Sequence, residues 1–336
     1  MKGAKVSLNH AERVKKFLIK SRLLDFDYRA TKGKQFIIFP VLEEFEDKDV
    51  EFIEDKFSKK RRKETWKDIL KNKLGKVDSE KLITAHDLIG NIAILEIPEE
   101  LVKKEKIIAD TFLNNNKNVK TVLKKAGEHT GTFRTQKMKW IGGENTKDSV
   151  YKENGVKLKV NVEDMYFSVR LGTERKRIMK QIEVDEHVLV MFSGCAPYPC
   201  VFSKNTDAER IVGIEINPKA HEYGLINLQK NKISNVELFC GDVKKVVPEL
   251  KERFDRVCMP LPKGAEDFLD DAIKISRKNA IIHFYDFLHE NEFEKCEEKV
   301  RSACNRARRT FEVLDFVKCG QYSPGKFRVC LDFRVF

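Results

Sequence analysis

Residues 188–197 read Val188-Leu189-Val190-Met191-Phe192-Ser193-Gly194-Cys195-Ala196-Pro197: a continuous apolar run that breaks into a turn with one glycine. A strand apolar on both faces belongs in a parallel sheet covered on two sides. Downstream, the spacing predicts strands at Arg210–Ile216, Val236–Cys240, Phe254–Met259 and Ala280–Tyr285, with a helix from Pro218 to about Lys230. Strands alternating with helices mean a doubly wound α/β domain. Glu312–Lys318 and Lys326–Phe336 add two strands with Pro324-Gly325 as a hairpin-like turn.

Upstream, residues 1–65 read as a small α/β unit. It has a helix from His10 to Leu24 (Val14, Phe17, Leu18 and Ile19 at helical spacing) and a strand at Gln35–Pro40. Phe45, Phe52 and Phe57 are expected to pack. Residues 56–81 are charged and apolar-poor except for Trp66, Ile69, Leu70 and Leu74, which suits a linker with a short helix. A strand at Ile89–Ile97, a helix from Pro98 to about Leu113, and strands at Val119–Leu123 and Leu158–Val162 follow. The expected organisation is an N-terminal domain 1–65, a linker 66–80, a middle domain 81–168 and a C-terminal domain 169–336.

The 336 residues carry a net charge of +12, and it is unevenly placed. Residues 1–80 hold 21 basic and 15 acidic side chains, 81–100 hold 1 and 4, 101–180 hold 19 and 9, and 181–336 hold 24 and 25. Excess concentrated in 101–180 points to a polyanionic partner, a nucleic acid, bound upstream of a neutral domain. The run Lys59-Lys60-Arg61-Arg62-Lys63 is weaker, since such runs are usually solvated linker. No stretch reaches the roughly 20 apolar residues of a membrane helix, and Met1 to Lys20 lacks the apolar core of an export signal. The eight cysteines form no C-x-x-C pair, so reduced thiols in a cytoplasmic protein are expected, with no metal site.

A nucleotide-like ligand of a doubly wound sheet lies at the loop after its first strand. Here that loop brings Phe192, Ser193 and Gly194. The next strand carries Glu215-Ile216 about 20 residues on, where a carboxylate can accept both ribose hydroxyls. Cys240-Gly241-Asp242 places another carboxylate just past the third strand, suited to an adenine amino group. Each alone is more often a plain turn residue; in this order they favour S-adenosylmethionine over a dinucleotide. No G-x-G-x-x-G is present.

Four strings then carry a resemblance. Asp164-Met-Tyr166-Phe-Ser-Val-Arg-Leu-Gly172-Thr-Glu174-Arg175, Val190-Met-Phe-Ser-Gly-Cys-Ala-Pro197, Glu215-Ile-Asn217-Pro218 and Met259-Pro-Leu-Pro262 resemble the archaeal Trm5-type tRNA (guanine-N1)-methyltransferases. The resemblance runs from about Ile89 to the C-terminus, more weakly over the first 65 residues. It implies a Rossmann-type class I methyltransferase domain with a mostly parallel sheet, preceded by small α/β RNA-binding domains. The implied substrate is guanosine 37 of tRNA. The implied roles are Glu174 as the base that takes the N1 proton, Arg134 as the partner of O6, and Tyr166 as a wall of the base pocket, with Pro260 beside the cofactor. Without the resemblance, Glu174-Arg175-Lys176-Arg177 reads as an exposed first helical turn and Arg134 as a phosphate contact; Arg170, Arg175 and Arg177 stay open between phosphate contacts and helix capping. The chain departs from the family twice: Val190 stands where an Asp is usual, and Pro260 stands where an Asn is usual. An aminocarboxypropyl transferase using the same cofactor and a non-catalytic RNA-binding protein therefore stay open. A monomer is expected.

Overall fold

The computed structural model describes residues 1–336 except 61–63, 129 and 262. Arg61, Arg62 and Lys63 of the basic run, and Pro262 of the fourth string, thus lie outside the described residues. The chain forms two compact units, Met1–Ile69 and Leu70–Phe336.

The first unit is a four-stranded antiparallel sheet with one helix. Lys2–Ser7 lies between Phe36–Pro40 and Val50–Glu54, and Thr31–Lys32 pairs outside Phe36–Pro40. The sequence reading missed this first strand, whose Ala4 and Val6 are buried. The expected helix is shorter, Ala11–Lys20, and buries Val14 and Leu18. Phe45 and Phe52 pack on that core as expected.

Residues 66–80, expected as linker, form helices Trp66–Leu74 and Lys76–Glu80, and Trp66, Leu70 and Leu74 are buried. Thr65 and Asp68 cap the first reciprocally: each side chain accepts from the other's backbone N–H. Beyond them, His86–Ile89, Ile92–Leu95, Thr121–Lys125 and Met138–Gly143 form a four-stranded sheet. The single strand expected at Ile89–Ile97 is therefore two, folded back at Gly90 (φ +58°). A Cβ on Gly90 would sit 2.4 Å from the Val150 carbonyl oxygen. The helix expected from Pro98 is a 3-10 turn, Glu99–Lys104, running into Glu105–Asn115. Asp148–Glu153 and Val156–Asn161 form a hairpin.

The rest is a seven-stranded sheet: β1 His187–Met191, β2 Arg210–Glu215, β3 Val236–Cys240, β4 Phe254–Met259, β5 Ser276–His289, β6 Phe311–Ser323 and β7 Lys326–Val335. Their order is β3-β2-β1-β4-β5-β7-β6. The first five run parallel and β7 is antiparallel between β5 and β6. Helices α1 Gly172–Met179, α2 Pro197–Asn205, α3 Pro218–Asn231, α4 Leu269–Ile275 and α5 Glu294–Ala307 accompany it. Side chains alternate between two cores. Leu189 and Met191 join Val212, Ile214, Val257 and Met259 in one, while Val188 and Val190 join Ile211 and Cys258 in the other. Val190 is thus a core residue, which suits an apolar side chain and not a carboxylate.

Candidate active site

A cavity of about 240 Å³ opens at the C-terminal ends of β1, β2 and β4, where ligands of such sheets bind. The loop that follows β1 has three left-handed residues, Phe192 (φ +60°), Gly194 (φ +57°) and Ala196 (φ +61°), before Pro197 opens α2. Two of them are not glycine, a strain typical of ligand-binding loops. The turn aims the Gly194 N–H at Glu215 Oε2, 2.7 Å away, while Asn217 N–H holds Oε1 at 2.8 Å. Burial pushes the Glu215 carboxyl up and these amides oppose that. Each oxygen keeps a lone pair for a hydroxyl in the cavity. Asp242 caps the turn Val243–Val246 through Lys244 N–H at 2.9 Å with one oxygen, leaving the other available.

Of the expected site residues, Phe192, Gly194, Glu215, Ile216, Asp242, Pro260, Arg134 and Tyr166 all line this cavity. Ser193 does not. It is buried beneath β2, donating its N–H to Ile214 O, in space left by Gly213; it shapes the loop through its backbone. Pro260 offers no N–H and no polar side chain, so any polar contact from this position comes from its backbone carbonyl. Sequence reasoning overlooked Phe268, whose ring meets Phe192 edge-on at 4.9 Å, and Phe133 and Asn217 on the walls. Asn217 had a signal: Asn before Pro218 at a helix start is a capping pattern. Its amide also donates to Asp164 O, tying the segment before Tyr166 to β2.

Glu174 lies outside the cavity. With Arg175 it is buried, which corrects the reading of an exposed first turn. Its carboxylate takes two bonds from Arg177, at 2.9 and 2.8 Å, and one from Tyr285 Oη at 2.7 Å. Arg177 in turn grips Asp332, which accepts from His283 Nδ1 at 2.6 Å. Arg256 donates to His283 Nε2 at 2.9 Å and pairs with Glu186. Because an arginine can only donate, His283 Nε2 accepts and the ring is neutral; burial holds its pKa below the usual value. Against burial, His283 and then the Arg177 guanidinium hold Asp332 well below the ordinary carboxylate range. His283, Cys330 and Asp332 bring donor atoms within 4.8 Å of one another, yet these contacts already engage the carboxylate and both ring nitrogens. Arg175 pairs with Glu153 and Arg170 with Asp87, so all three open arginines hold protein carboxylates here.

A second cavity, about 320 Å³, shares Tyr166 with the first. Strand pairing explains its wall. The β5–β7 register sets Phe287 opposite Arg328, Tyr285 opposite Cys330 and His283 opposite Asp332. The pleat sends Val329, Leu331 and Phe333 to the apolar core, leaving the intervening polar residues on one face. Cys319 of β6 lines this cavity, its thiol bonding to Val317 O at 3.5 Å; burial first, then the charge of Glu174, pushes that thiol up. Arg134 reaches from the middle sheet to donate to Lys263 O, and burial holds its pKa below the usual value.

Comparison with known proteins places this arrangement. The model of the TRM5/TYW2 methyltransferase domain matches residues 149–314, the TYW2 N-terminal domain 66–146, and the tRNA methyltransferase 5 N-terminal domain 3–49. The chain is 35% identical to tRNA (guanine(37)-N(1))-methyltransferase Trm5b of Pyrococcus abyssi, across 99% of this chain and 98% of that protein. It is 31% identical to Trm5b of Methanocaldococcus jannaschii, across 98% of each. It superimposes on aTrm5 solved in complex with tRNALeu with a TM-score of 0.71 at 30% identity, covering 99% of both chains. Likeness at this level along the whole length, with the loop and carboxylates above in place, means that the chain belongs to the TRM5/TYW2 methyltransferase family.

Proposed function

We infer that the chain is an S-adenosylmethionine-dependent tRNA methyltransferase that modifies N1 of guanosine 37, beside the anticodon. The observation that carries this reading is the cavity itself. Glu215 and Asp242 stand where a ribose and an adenine would be held, and Arg134 and Tyr166 of the upstream segments complete its wall. The residues fit that cofactor: a carboxylate fixed by two backbone amides, a glycine loop, and aromatic rings of Phe192 and Phe268. When bound, S-adenosylmethionine supplies an electrophilic methyl group on its sulfonium.

Guanine N1 carries a proton at neutral pH, so N1 must lose it as the N1–CH3 bond forms. Glu174 is the base of this reading. Its carboxylate is held by Arg177 and Tyr285 and acts electrostatically on Cys319, on the wall of the second cavity. Taking the proton therefore requires the carboxylate to turn toward that cavity. Arg134 stabilises the charge that develops on O6. Tyr166, between the two cavities, orients the base extruded from the anticodon loop. The excess positive charge of residues 101–180 holds the tRNA backbone. No helix among the described residues is long and apolar enough to cross a membrane. The same reading has the protein act in the cytoplasm as a monomer, without a metal ion.

Nucleoside mass spectrometry of unmodified tRNA treated with the protein and S-adenosylmethionine tests it. The expected gain is about 14 Da on guanosine 37. A gain of about 101 Da would replace methyl by aminocarboxypropyl transfer, and no gain would leave a non-catalytic RNA-binding protein.

A further inference from the structure

The second cavity contains a cation that none of the roles above uses. Arg328, on β7, lies with its guanidinium 5.3 Å from the centre of the Phe287 ring. One terminal nitrogen reaches Tyr166 Oη at 3.3 Å. Its Nε, shielded from solvent, has no hydrogen-bond partner among the described residues. A buried donor left unpaired is costly, and such a group points to a ligand that completes it. The surroundings describe that ligand. Tyr322 packs on Phe287 with ring centres 4.4 Å apart and planes tilted by 40°, giving an aromatic wall beside the guanidinium. Tyr166, on the opposite side, is shared with the cofactor cavity. Cys319, whose thiol feels the charge of Glu174, lies on the same wall. A planar base entering here meets a two-pronged cation beside the cavity that Tyr166 borders.

Resting on the functional reading above, we propose that Arg328 reads the O6/N7 edge of the guanine that receives the methyl group. Arginine and guanine match in this way because two parallel N–H donors meet the two acceptors O6 and N7. Nε–H is already open, and the terminal nitrogen needs only to leave the long contact with Tyr166. The side chains of Pro260 and Val190 have no donors to offer, so base selection falls on side chains from the β5–β7 side and on Arg134. Arg328 itself comes close enough to Arg134 to be felt electrostatically.

The experiment pairs Arg328→Ala and Arg328→Lys with tRNA carrying either guanosine or 7-deazaguanosine at the target position. Methylation is followed under single-turnover conditions and tRNA affinity by filter binding. Arg328→Ala is expected to slow methylation of guanosine about 10- to 100-fold. Removing N7 slows the wild type, and this sensitivity disappears in Arg328→Ala. Arg328→Lys keeps tRNA affinity but stays slow, because an ammonium lacks the fork. Equal sensitivity to N7 in wild type and Arg328→Ala, full rate with Arg328→Lys, or a wild type indifferent to N7 each overturns the proposal in favour of a phosphate contact or a structural role. The wild-type arm stands even where Arg328→Ala fails to fold. A wild type that methylates no guanosine overturns the functional reading as well, whereas methylation indifferent to N7 and Arg328 overturns this one alone.

Discussion

The cavity beside Glu215 and its neighbour meet at Tyr166 and are made of different materials. The first is built at strand ends, from backbone amides that pin one carboxylate and from a loop bent by three left-handed residues. The second is walled by long side chains, Arg328, Phe287, Tyr322 and Cys319, whose positions come from strand register. Backbone recognition survives changes such as Val190 and Pro260, because the sheet fixes the amides whatever the side chains are. Side-chain recognition does not. Single substitutions should therefore weigh more heavily on the second cavity and the ionic chain behind it.

The largest effect that sharpens this contrast is expected from Glu174→Gln. Single-turnover methylation should fall about 10²- to 10⁴-fold, with cofactor affinity by calorimetry unchanged. A wild-type rate would remove Glu174 from the role of base. Next comes Asp332→Ala, which takes from Arg177 one of its two carboxylate partners and leaves the buried His283 Nδ1–H without its acceptor. Leaving a buried donor unsatisfied costs about 1–3 kcal/mol, and the lost bond to Arg177 adds to it, read as a lower urea midpoint; an unchanged midpoint would mean that the ionic chain is relaxed by water. Smaller, and confined to the first cavity, is Glu215→Ala. Losing hydrogen bonds to a charged group, about 1.5–3 kcal/mol, should weaken cofactor binding by one to two orders of magnitude and leave tRNA affinity alone. Equal losses for both ligands would blur the distinction between the cavities.

The smallest effect is one of pH. His283 is buried neutral and its folded pKa lies below its usual value, so the unfolded chain takes up its proton first. Its contribution to stability is complete above about pH 6.5 and is lost as the pH falls toward the folded value. Thermal midpoints should drop on acidification from pH 7.5 to 5.5, less steeply in His283→Gln. Identical slopes for the two proteins would assign the acid sensitivity elsewhere.

The first cavity was legible in sequence because its parts are local. A strand, its turn and an acidic residue about 20 positions on are set by one βαβ unit, so Gly194, Glu215 and Asp242 could be named from spacing alone. The second is not local. Tyr166 and Arg328 meet across 162 positions, and that contact follows from β7 inserting antiparallel between β5 and β6. A signal was present all the same. Arg328, Cys330 and Asp332 alternate with Val329, Leu331 and Phe333, a polar stripe on a strand otherwise apolar. Glu174 was read as exposed because local charge density says nothing about a tyrosine and an arginine converging on it. The Lys2–Ser7 strand escaped for a different reason: two lysines and a glycine in six residues mask its alternation.

Arg134 reaches from the loop before Met138–Gly143 to a carbonyl beyond β4, and Thr132 and Phe133 of the same loop wall the cofactor cavity. The family's methyltransferase model begins only at residue 149, downstream of all three. A fragment cut at that border would keep the seven-stranded sheet and forfeit one side of its own nucleoside socket. The two segments are thus bound to a common inheritance: gene shuffling that moved the sheet alone would deliver a scaffold without its door.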